Sequence, residues 1–234
     1  MISVLIPTRG RFDAFSRSIN SLYHNSSDVS NFEILIAMDD DDIENIERVR
    51  QILKPNMKLY IYERQYYRGL HNYYNDLSNK SIGESLFLWN DDALMSSKNW
   101  DIEIIDNHKK GFSVLNPMVD TMMDVWDNEG WVLFPIIPRK WLEITECWSH
   151  VPACDSWVGS IAARLGVVVN IPNVVITHDR YDLTNNNLDQ TYHDGMSDRA
   201  NPVNNTIFNI GYPEIMEEHF QKLNNYTKMI HNIK

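Results

Sequence analysis

The chain has 234 residues, 43% of them hydrophobic and 11% aromatic, enough for one sizeable domain with a full core. Apolar residues run along its whole length, which excludes a disordered chain, and the net charge of -11 excludes a general nucleic-acid binder. Local basic positions such as Arg9, Arg11, Arg64 and Arg68 still suit a small phosphorylated ligand.

The N-terminal half alternates strand-like and helix-like segments. Ile2 to Ile6 is an aliphatic run closed by Pro7 and reads as a buried first strand. Phe12, Phe15, Ile19 and Leu22 recur at helical spacing. Phe32 to Met38 gives a second strand, which ends in four acids, Asp39 to Asp42. A helix follows from Ile43 to Leu53, stopped by Pro55, and then a third strand from Lys58 to Tyr62. A helix after Gly69, reaching Ser78, leads to the fourth strand, Leu86 to Trp89. This order predicts an α/β fold with a largely parallel sheet covered by helices.

Beyond residue 110 the pattern loosens. Gly111 to Asn116 and Gly130 to Pro135 have strand character, Asp155 to Leu165 is helical, Gly166 breaks it, and Val167 to Thr177 supplies further strand. Thr184 to Asn209 is rich in Asn, Asp, Gly and Pro and is expected to be a mobile loop. Glu214 to Ile230 carries a helical apolar stripe, expected to pack on the same domain. Trp126, Trp131, Trp141, Trp148 and Trp157 crowd this half, where core is the leading role for most and sugar stacking the other.

The only cysteines, Cys147 and Cys154, show no zinc-ligand spacing and are expected to be reduced thiols. The N-terminus is unlike a signal peptide, and no apolar stretch has membrane-spanning length. A soluble cytoplasmic protein is the expectation.

The chemistry concentrates at Asn90-Asp91-Asp92, directly after the buried run Leu86-Phe87-Leu88-Trp89. Adjacent carboxylates at the end of a buried strand repel each other unless a cation or hydrogen-bond donors neutralise them. The C-terminal ends of strands are also where open α/β sheets bind ligands. The alternative is a solvated turn, for which Asn and Asp are common residues. For Asp39 to Asp42 the choices are a metal cluster or a helix start. We expect Asp39 to face a ligand, with Asp41 and Asp42 mostly serving the helix. Asp155 suits a general base or a helix N-cap.

Taken in order, Ile2 to Arg11, Phe32 to Asp42, Arg68-Gly69 with Asn72 and Asn75, Gly83 to Asp92, and Ala153 to Trp157 with Arg164, Gly166, Pro172 and His178 resemble the GT-A glycosyltransferases. The likeness is to their large inverting family 2. It covers roughly residues 1–180, with 1–110 implied as the nucleotide-sugar-binding half and 111–180 as the acceptor half, followed by the loop and helix extension of 181–234. The resemblance implies a metal-dependent transferase using a nucleotide-sugar donor, UDP-linked, with Mn2+ or Mg2+ as cofactor. It places Asp92, Asn90 and His178 at the metal and Asp155 as the base of an inverting transfer. Pro7, Thr8, Arg9, Arg11, Asp39, Asp41, Arg68, Asn90 and Asp91 fall on the nucleotide side.

Two departures stand out. Asn90 replaces the first acid of the Asp-x-Asp signature, and Cys154 replaces the acid before Asp155. They keep open a degenerate nucleotide-sugar-binding or scaffold protein. A nucleotidyltransferase ranks lower, because Pro7-Thr8-Arg9-Gly10-Arg11 lacks a glycine-dense, lysine-bearing phosphate loop. The acceptor (saccharide, lipid-linked sugar, protein or modified base) is left open.

Overall fold

The computed structural model describes residues 1–64, 69–122, 132–179 and 213–231. The strands are β1 (Ile2–Pro7), β2 (Phe32–Asp39), β3 (Met57–Tyr62), β4 (Ser85–Leu88), β5 (Ala93–Met95), β6 (Val114–Val119), β7 (Ile136–Pro138) and β8 (Val168–His178). The helices are α1 (Phe12–Asn25), α2 (Ile43–Ile52), α3 (Leu70–Lys80), α4 (Trp100–His108), α5 (Arg139–Thr145), α6 (Cys154–Leu165) and α7 (Pro213–His231).

The strands form one 8-stranded sheet in the order β3-β2-β1-β4-β7-β6-β8-β5. β1 pairs in parallel with β2 and β4, and β2 with β3. β7 enters antiparallel between β4 and β6, β6 and β8 are parallel, and β5 closes the far edge antiparallel to β8. The expected mostly parallel, helix-covered sheet is therefore what the chain forms.

Burial on both faces explains the unbroken aliphatic runs of β1 and β2. Ile2, Val4 and Ile6 point to one core with Phe15, Ile19 and Trp100 of α1 and α4. Leu5, Leu35 and Leu88 point to the other, formed with Tyr74, Trp141, Trp148 and Trp157. These three indoles are core, while Trp126 and Trp131 lie outside the described residues. α7 joins the second core through Leu223, which is fully buried.

Several boundaries move. The strand expected from Gly111 begins at Val114 and runs on through Pro117, where the β6–β8 register breaks and the imino residue is tolerated. Val132 to Pro135 form no strand; pairing starts where the Pro135 carbonyl accepts the Leu88 amide at 3.2 Å, giving β7. β5, α4 and α5 were not anticipated by the sequence pattern. They are short, and α5 has no side-chain cap.

Candidate active site

The candidate side chains gather at the C-terminal ends of β1, β2 and β4. The other end of the same strands is closed by a tight structural junction. There Ser3, Glu33 and Lys58 meet the turn before β4, and a Cβ on Gly83 would lie 2.6 Å from the Ser3 amide nitrogen. That close approach fixes where β4 begins beside β1, and so where Asn90 to Asp92 emerge.

Two polar networks lie at the C-terminal edge. In the first, Arg9 donates to Asp39 at 3.1 Å and forms a two-pronged pair with Asp41, with Nη2 to Oδ2 at 3.0 Å. The Tyr73 hydroxyl donates to the other Asp39 oxygen. Arg64 reaches Asp41 at 3.4 Å, and its amide donates to Asp40 at 3.0 Å. The four-acid run thus divides differently from the expectation. Asp42 sits at the N-cap of α2, but its carboxylate accepts the Gly10 amide at 2.8 Å and the Asn45 side chain at 2.7 Å. Asp41 serves the two arginines and not the helix start, because bidentate pairing with a guanidinium outweighs a weak dipole interaction.

The second network surrounds Asn90-Asp91-Asp92. Asp91 is buried, accepts the Thr8 hydroxyl at 2.7 Å and pairs with Arg11 at 3.3 Å. Arg11 also lies 3.7 Å from Asp92. Across the sheet edge His178 Nε2 stands 3.1 Å from Asp92 Oδ1 and 3.5 Å from Asn90 Nδ2. Strand register makes this meeting, since His178 pairs with Ala93 in the β5–β8 ladder. Phe134 packs edge-on against the imidazole, at 5.0 Å between ring centres.

Burial, reinforced by the adjacent Asp92 charge, pushes the Asp91 carboxyl up to about 6. Burial acts on Asp92 in the same sense, but hydrogen bonding and charge from His178, with help from Arg11, hold it below its ordinary value. Among the described residues, Arg11 is the arginine that reaches both carboxylates, Asp91 and Asp92.

Asn90 lies between Tyr74 and His178. The Tyr74 hydroxyl lies 2.9 Å from the Trp89 carbonyl and 3.1 Å from Asn90 Oδ1, while the Asn90 amide nitrogen faces His178. The single hydroxyl proton of Tyr74 serves one of these two oxygens at a time.

Asp155 lies in the first turn of α6, partly buried. The N-cap alternative does not hold: the cap position is Ala153, and the Asp155 carboxylate accepts the Ser156 amide next to it at 2.8 Å. Burial raises the Asp155 carboxyl, which lies within electrostatic reach of His178 and Tyr74. Asn75 holds the segment leading to it, accepting the Trp148 amide at 2.8 Å and donating to the Ser149 carbonyl at 2.8 Å.

The structure therefore brings Thr8, Arg11, Asn90, Asp91, Asp92 and His178 into one cluster and Arg9, Asp39 and Asp41 into a second. Pro7 ends β1, paired with Ala37. Arg68 and the loop expected at Thr184 to Asn209 lie outside the described residues. Tyr73 and Tyr74 were not foreseen as site residues. Two tyrosines in an amphipathic helix look like core, and no local pattern marks their hydroxyls.

No protein-family model matches this sequence, and no curated protein matches it. Solved structures do share its fold. The mannosyltransferase PcManGT from Pyrobaculum calidifontis, in complex with GDP-Man and Mn2+, superposes with a TM-score of 0.62 at 15% identity, over 83% of this chain and 59% of that one. S. aureus TarS gives a TM-score of 0.61 at 15% identity, over 88% of this chain and 43% of that one. The 1-349 fragment of TarS in complex with UDP-GlcNAc gives 0.56 at 14% identity, over 94% and 72%. The chain thus spans well under two thirds of the first two proteins and has the fold of nucleotide-sugar glycosyltransferases.

Proposed function

We propose that this chain is a metal-dependent glycosyltransferase that moves a sugar from a UDP-linked donor to an acceptor hydroxyl with inversion. The observation that carries this reading is the facing pair Asp92–His178 at the end of β4, beside a second buried carboxylate, with Asp155 nearby. Nε2 of His178 cannot both donate to Asp92 and accept from Asn90; a divalent cation held between its lone pair and the Asp92 carboxylate would replace both contacts. Asp92, His178 and the side-chain oxygen of Asn90 are accordingly the proposed protein ligands of Mn2+ or Mg2+. The ion would supply neutralisation of the departing diphosphate.

Arg9 and Arg11 are proposed to meet the diphosphate, and Asp39, with Tyr73, to offer an acceptor to the nucleotide's base or ribose. Pro7 and Thr8, whose hydroxyl is held by Asp91, and Arg68 are proposed for the same phosphate side. Asp155 takes the acceptor hydroxyl's proton as that oxygen bonds to the anomeric carbon and the bond to the phosphate oxygen breaks. A carboxyl raised above its ordinary range suits that role. The two free thiols support a cytoplasmic location.

Calorimetric titration of UDP, GDP and CDP, with and without Mn2+, tests the reading. Manganese-dependent UDP binding that is lost in Asp92→Ala is expected; absence of nucleotide binding in either condition overturns it. Tight GDP binding in place of UDP reassigns the donor. Asn90 and Cys154 in place of acids favour a second reading, a binding protein without turnover, which predicts UDP binding but no donor hydrolysis on long incubation.

A further inference from the structure

α7 buries a histidine in its apolar stripe. His219 is 3% exposed, and its Nδ1 has no hydrogen-bond partner among the described residues. A buried ring nitrogen left without a partner is destabilising unless something else meets it. The residues beside it account for the placement. Cys147 and His150 lie on the segment joining α5 to α6, with Cys147 Sγ 3.2 Å from His150 Nε2. The His150 and His219 rings stand 5.2 Å apart, and both pack against Trp157, at 5.7 and 5.8 Å.

One thiol sulfur and one nitrogen from each imidazole lie within 4.8 Å of one another. A tetrahedral zinc ion needs such ligand atoms about 3.4–3.6 Å apart, given its bond lengths to sulfur and nitrogen. A small closure of side chains reaches that spacing. The donor set of one thiolate and two imidazoles selects zinc over magnesium or calcium. Two cysteines showed no zinc spacing in the sequence; the fold pairs only one of them with two histidines, the second from a helix far along the chain.

We propose that Cys147, His150 and His219 bind a zinc ion, with water at the fourth position, at a site distinct from the Asp92–His178 pair. Cys147 gives its thiol proton to solvent as the sulfur–metal bond forms. The ion joins α7 to the segment that leads into Asp155, and so braces that wall of the candidate active site. The metal assignment itself does not depend on the transferase reading.

Cobalt titration of the full chain, stripped of metal with a chelator, tests this. One equivalent of Co2+ should give a thiolate-to-metal charge-transfer band with the visible bands of a tetrahedral ion, and Zn2+ should displace both. The charge-transfer band should disappear in Cys147→Ser, weaken at least about tenfold in affinity in His219→Gln, and persist in Asp92→Asn. If His219→Gln does not fold, His150→Ala on the connecting segment serves the same purpose. Zinc should raise the thermal midpoint of the wild type but not of Cys147→Ser. No charge-transfer band in the wild type, or one that survives Cys147→Ser, overturns the proposal.

Discussion

Glu33 and Asp91 are buried carboxylates at opposite ends of the same parallel strands, 4% and 6% exposed. Glu33 accepts the Ser3 hydroxyl, the Ile82 amide and the Lys58 ammonium, each at 2.7 Å. Burial alone would raise its carboxyl, but Lys58, the Ile82 amide and Ser3 together hold it below its ordinary value. Asp91 has a hydroxyl, a longer arginine contact and a like charge as its neighbour, and its carboxyl rises. One end of the sheet saturates its buried acid and gains a junction; the other sets two carboxylates side by side, where we propose a cation and phosphates bind.

If that contrast is right, the two ends should respond oppositely to substitution. The largest effect is expected from Asp92→Ala, which should lower kcat about 10³-fold, several kcal/mol of lost charge stabilisation, without lowering Tm. Steady-state kinetics and a thermal melt on the same preparation check it; a parallel fall in Tm would make Asp92 a structural acid like Glu33. Asp155→Asn should cost about 10²–10⁴-fold in kcat while nucleotide affinity, read by calorimetry, holds.

Glu33→Gln should do the reverse. It should lose about 1–3 kcal/mol of stability in urea melts, with activity per folded molecule unchanged. The folded state binds fewer protons at Glu33 than the unfolded chain, because the carboxyl is held below its ordinary value of 4.5. Its contribution is therefore present above about pH 4.5 and fades as the pH drops through the lower folded value. The wild-type stability curve should fall over that acid range, and the Glu33→Gln curve should be flatter there. The smallest effect belongs to Tyr73→Phe. Loss of one hydrogen bond to Asp39 should weaken nucleotide binding by about 1 kcal/mol.

The functional end was the more legible of the two in sequence. Leu86 to Trp89 is an uninterrupted apolar run, so the acids after it had to emerge at a strand's C-terminal end. Glu33 carried no such mark; it was only an interruption near the start of a strand, and its partners come from β1, β3 and the turn before β4. β1 to β4 and α1 to α3 could be read because each is long enough to show its period. β5 and β7 have three residues each, too few for any period, and α5 has seven. The Tyr73, Tyr74 and Cys147–His150–His219 contacts join residues that no local spacing connects.

The β6–β8 ladder pairs Pro117 with Ile171 and then Met118 with Val175, so β8 carries slack between those points. Downstream, Ile176 to His178 are indexed by Met95 to Ala93 of β5. The chain therefore tolerates length changes unevenly. A residue inserted within 172–174 extends the slack and leaves His178 opposite Ala93. The same insertion between Thr177 and His178 sends the imidazole to the other face of the sheet, away from Asp92, without altering a single site residue.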